Sequence, residues 1–82
     1  MKELHNYWII EYSFANNDLI AITLLEQIKA NRDCLLNGIQ HDYVPIMYFE
    51  TKDELEIEAE FLRNKMKTKP LFIGINNRTY VK

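Results

Sequence analysis

Cysteine, glycine and proline are all scarce in this 82-residue chain, with one Cys, two Gly and two Pro. The single thiol, Cys34, excludes an internal disulfide. Small exported domains are more often stapled, so a lone thiol leans toward the cytosol. Gly38 and Gly74 stand far apart, which excludes a glycine-rich phosphate loop. No apolar run approaches the roughly 18 residues of a membrane span, and Met1–Asn6 carries no apolar signal core. Charge of either sign is not in excess. Ten basic and twelve acidic side chains leave a net −2, too near neutral for electrostatic capture of nucleic acid or an anionic membrane.

What is present is apolar mass. Hydrophobic residues make up 48% of the chain and aromatics 12%, enough to fold a domain whose small size demands a dense core. The length suits one domain, 1–82, with no repeat or linker. Ile, Asn and Lys together supply 25 residues, a bias toward A/T-rich codons that suggests a gene from an A/T-rich bacterium or a bacteriophage.

The apolar periodicity predicts a first strand over 7–14, with Trp8, Ile10, Tyr12 and Phe14 on one face. Asn16-Asn17-Asp18 supplies turn and cap chemistry, so a helix is expected from Asp18. Its stripe would be Ala21, Leu24, Leu25, Ile28, Leu35, Leu36 and Ile39, interrupted by Arg32. Two endings compete. Either the helix reaches Asn37 and Gly38 closes it in the left-handed conformation, or it stops near Asn31 and Asn37-Gly38 turns a hairpin. Leucine at 35 and 36 favours the longer helix.

Tyr43–Phe49 reads as a second strand, placed by Pro45 near the start of pairing or on a sheet edge. Thr51-Lys52-Asp53-Glu54 opens a second helix with the stripe Leu55, Ala59, Leu62 and Met66. Pro70 stops it. Leu71–Ile75, the turn Asn76-Asn77 and a returning strand over 78–81 complete an expected β-α-β-α-β-β order. The class is therefore α/β (α+β): a three- to four-stranded sheet with two helices, most simply packed on one face. A ferredoxin-like β-α-β-β-α-β arrangement is the alternative if Asn37-Gly38 turns a hairpin.

Catalytic pairs are missing. His5 and His41 have no Cys or carboxylate at metal-ligand spacing, and neighbours in a strand such as His41 and Asp42 point to opposite faces. Cys34 fits a buried structural thiol. Neither a cofactor nor a metal is expected, and the chain reads as non-enzymatic. Lys69-Pro70-Leu71-Phe72-Ile73-Gly74-Ile75-Asn76-Asn77-Arg78 resembles the proline, strand and turn that close the site of thioredoxin-like domains. The redox cysteines of that family would fall between Ser13 and Asp18, where there is none, so thiol–disulfide chemistry is excluded.

Ile57 and Phe61 carry the best sign of a partner. They lie four apart, well away from the Leu55 stripe, amid the acids Asp53, Glu54, Glu56, Glu58 and Glu60. Either another segment covers them or they meet a second chain. The expected contact face is thus Ile57, Phe61, Glu54 and Glu58, on a cytoplasmic protein that binds a host protein or itself. A phage-encoded regulator or inhibitor of a host factor fits that reading. The alternative is an RNA- or DNA-binding module using Arg63, Lys65, Lys67 and Arg78, where the second helix ends.

Overall fold

The computed structural model describes residues 7–75. Four strands, β1 (Trp8–Ser13), β2 (Asp18–Thr23), β3 (Tyr43–Phe49) and β4 (Phe72–Ile73), form one mixed sheet in the order β3-β1-β2-β4. Two helices, α1 (Leu24–Asn37) and α2 (Lys52–Met66), complete a small α+β domain. The turn Asn76-Asn77 and the strand expected over 78–81 lie outside the described residues.

The expected helix start at Asp18 is overturned. Asp18–Thr23 is a strand, hydrogen-bonded antiparallel to β1 from Trp8↔Thr23 to Ser13↔Asp18. Asn17 takes a left-handed φ of 53° at the reversal, which Asn tolerates better than most residues. Its side chain accepts from the Tyr12 hydroxyl at 2.8 Å and donates to the Lys67 carbonyl at 3.2 Å, tying the loop to the end of α2. The element order is therefore β-β-α-β-α-β.

The true start of α1 is a capping box at Thr23. Its hydroxyl accepts from the Glu26 amide at 3.2 Å, and the Glu26 carboxylate accepts from the Thr23 amide at 3.1 Å. Gly38, at φ 65°, closes α1 in the left-handed conformation, so the longer ending holds. Thr51 caps α2 through the Glu54 amide, and Lys67 terminates it at φ 58°.

β2 and β3 both run antiparallel to β1, and β4 runs parallel to β2. The connection through α1 crosses β1 toward one sheet edge; the connection through α2 crosses back toward the other. Two crossovers of the same hand running in opposite directions must place their helices on opposite faces. The cores agree. Ile10, Tyr12, Leu19 and Ala21 pack with Leu55 and Ala59 of α2. Ile20, Ile22 and Tyr43 form a second cluster on the other face. There Gln27 of α1 donates to the fully buried Glu11 at 2.8 Å. The expectation of both helices on one face is corrected accordingly.

Candidate docking cleft and the polar end of the sheet

Ile57 and Phe61 are 74% and 60% exposed. They project from α2 because Leu55 and Ala59 hold the opposite side of that helix on the sheet. Beside them β3 forms a sheet edge, and Met47 and Tyr48 are 53% and 66% exposed. The two elements frame an open cleft of about 600 Å³. Met47, Phe49 and Ile57 supply its apolar lining, while Tyr48 stands edge-on to Tyr7 with ring centroids 5.9 Å apart. Its acids are Glu50, Glu54 and Glu58, and among the described residues no basic side chain lines it.

Those acids are not equivalent. Glu54 serves the cap, since its carboxylate accepts from the Thr51 hydroxyl at 3.0 Å. Glu56 meets Lys52 at 3.9 Å, and Glu60 meets Arg63 at 3.8 Å. Glu50 and Glu58 have no ion-pair partner among the described residues. Three of the four sequence-expected contact residues, Ile57, Glu54 and Glu58, line the cleft. Phe61 lies one turn along the same helix, outside it.

The expected basic face is less coherent. Arg63 is paired with Glu60, and its Nε is buried without a hydrogen bond. Lys65 and Lys67 are exposed, with the Lys67 carbonyl engaged by Asn17. Arg78 lies outside the described residues.

A second polar constellation sits at the opposite end of the sheet, where β1 finishes and β2 and β3 begin. Asp42 accepts from the Ser13 hydroxyl at 2.8 Å and from the Ala15 amide at 2.6 Å. The Ala15 amide and the Ser13 hydroxyl hold its carboxyl below the ordinary carboxylate value, helped by His41 and opposed by partial burial. Across the strands, Asp18 is 5% exposed and one of its carboxylate oxygens is buried without a hydrogen bond. Burial raises its pKa, and Asp42 adds to the rise; the Tyr43 hydroxyl and Lys69 oppose it.

This constellation fastens loops together. His41 Nδ1 accepts from the Tyr43 amide at 3.2 Å, and Nε2 lies 3.1 Å from Asn31 Oδ1, which ties α1 to the start of β3. Among the described residues, no three His, Cys, Asp or Glu side chains are grouped to hold a metal ion. No described helix is long and apolar enough to cross a membrane.

Two features escaped the sequence. The stripe expected to bury α1 faces outward: Leu25, Ile28, Leu35 and Leu36 are exposed, Leu35 at 81%, while Gln27 and Cys34 face inward. The second is the exposure of the apolar side chains along β3, a strand that Pro45 had already marked for an edge. The thioredoxin-like likeness in element order fails, because a strand follows β1 where that order requires a helix. No family model, curated protein or solved structure matches this chain.

Proposed function

We propose that the chain is a small non-enzymatic interaction protein that binds and modulates a larger protein partner. One observation carries the reading: Ile57 and Phe61 are exposed at an acid-rimmed cleft of mixed polarity beside a sheet edge. Large apolar side chains held in water on adjoining elements are a favourable source of binding free energy when another chain covers them. The composition fits a phage-encoded regulator or inhibitor of a host factor in the cytoplasm, with the lone buried Cys34 suited to a reducing compartment.

The test pairs Ile57→Asp with Phe61→Ser. Surface substitutions of this kind are expected to change stability by only about 0.5 kcal/mol each. The thermal transition should stay cooperative, while crosslinking in the native host should lose a protein that the unaltered chain captures. Unfolding of the double variant, or capture of an unchanged set, would overturn the reading. Capture of nucleic acid instead, with affinity falling steeply with salt, would favour the module built on Arg63, Lys65, Lys67 and Arg78.

A further inference from the structure

We infer that the cleft takes an extended, lysine- or arginine-bearing segment of the partner, added to the sheet as a further strand beside β3. This rests on the docking reading above and specifies the chemistry of its ligand.

The first support is the edge itself. No described strand lies outside β3, so alternate residues turn backbone N–H and C=O groups outward. Exposed edges are commonly guarded by proline and bulges, and β3 has both. Pro45 removes a donor, and the register with β1 slips between Ile10 and Glu11, opposite Met47 and Pro45. Both devices fall in the first part of the strand. The stretch beyond them, Met47 to Phe49, carries neither, and it is the stretch that lines the cleft.

The second support is the arrangement of side chains beside that stretch. Met47 stands on the α2 side of the sheet, with Ile57 lining the same cleft; Tyr48 stands on the other side with Tyr7. An incoming strand directs successive side chains alternately to the two sides, so each set finds an apolar surface.

The third support is charge. Glu50, Glu54 and Glu58 rim the cleft without a base among the described residues that line it. The nearby Lys52 is held 5.9 Å over the Trp8 ring and 3.9 Å from Glu56. A second copy of this chain would bring the same carboxylates toward one another across a two-fold axis. A cationic segment is the complementary occupant.

The experiment uses the full chain, labelled with nitrogen-15 and titrated with a short peptide alternating valine and lysine. Two control peptides replace lysine by glutamate or methylate the backbone nitrogens. The cationic peptide should shift the amide signals of Met47, Tyr48, Phe49, Glu50 and Ile57, and neither control should do so. Glu50→Lys with Glu58→Lys should weaken binding by about tenfold or more. Glu54 is left alone because it serves the helix cap; unchanged amide dispersion in the double variant verifies its fold.

Equal binding of the glutamate peptide would overturn the charge assignment, and equal binding of the methylated peptide would overturn strand addition. Shifts confined to other surfaces would overturn the site. A dimer that protects Met47–Phe49 without peptide would make a second copy the occupant and overturn the inference. If no peptide binds while Ile57→Asp with Phe61→Ser still loses its partner, strand addition falls and the docking face stands. If the cationic peptide binds as expected while that variant keeps its partner, the cleft binds cationic strands but not the partner, and the docking reading falls with the inference drawn from it.

Discussion

The two faces of the sheet are built from alternate residues of the same strands, yet they are held by different physics. Toward α2, Ile10, Tyr12, Leu19, Ala21, Leu55 and Ala59 make an apolar cluster, completed by partly buried Trp8, Phe49, Leu62 and Leu71. Burial of large side chains such as Ile10, Leu19 and Leu55 contributes about 1.5–3 kcal/mol each. Toward α1, Ile20, Ile22 and Tyr43 share the interior with Glu11, Ser13, Asp18 and Gln27. On the first face, shape decides how the helix sits. On the second, Gln27 of α1 turns inward to hydrogen-bond Glu11, while Leu25, Leu35 and Leu36 lie exposed.

That contrast can be broken most strongly on the apolar side. Leu55→Ala should cost about 3 kcal/mol in denaturant unfolding, because Leu55 is fully buried and its removal leaves a cavity. Leu55→Met, which conserves volume, should cost less than about 1.5 kcal/mol. Comparable losses from both would show that packing shape is not what holds α2.

On the polar face, Gln27→Leu should cost about 2 kcal/mol, since it withdraws a donor from a carboxylate with no access to water. No change in the unfolding midpoint would mean that α1 is oriented by something other than this bond.

A smaller loss, about 1 kcal/mol at neutral pH, is expected for Asp42→Asn, which weakens the charge-assisted bonds to Ser13 and Ala15. Because the Asp42 pKa is lowered, its contribution is present above the ordinary carboxylate range and disappears as pH falls through the folded value. Asp18 has the opposite sign. Its pKa is raised, so its destabilising contribution grows as pH climbs from the ordinary carboxylate range through the folded value, and is fully present above that. Asp18→Asn should therefore give the smallest effect and a gain, raising the melting temperature at neutral pH and not in acid. A uniform gain at every pH would show that ionisation of Asp18 is not its origin.

The sequence carried much of this design in local signals. Period-two alternation located β1, Pro45 marked the edge strand, and Thr51 and Gly38 marked helix ends. The largest departure lies at the start of α1. Asp18 follows a turn-like Asn pair, but Thr23-Leu24-Leu25-Glu26 is the full capping signature, and Ile20, Ile22 and Thr23 before it are β-branched. Reading the helix from Asp18 hid a strand and put the leucines of α1 on its buried side. In the true phase Gln27 meets Glu11, sixteen positions earlier, and no local pattern reports such a contact. The exposure of Ile57 and Phe61 was legible as an alternative; the cleft beside them was not, because it needs β3 to lie at an edge. The position of α1 opposite α2 follows from the reversal in crossover direction, which appears only when strand order is known.

The place of β1 between β2 and β3 has a consequence for synthesis. A chain emerging N-terminus first can close the β1–β2 hairpin and form the Thr23 capping box before β3 has left the ribosome, since those contacts are local. Until β3 arrives, the other side of β1 is an unfinished edge presenting Trp8, Ile10 and Tyr12. During that interval β3 of a neighbouring nascent chain could pair there as well as the chain's own β3. Strand exchange between copies is therefore expected only at high chain density, where a neighbour's β3 can compete with the tethered one.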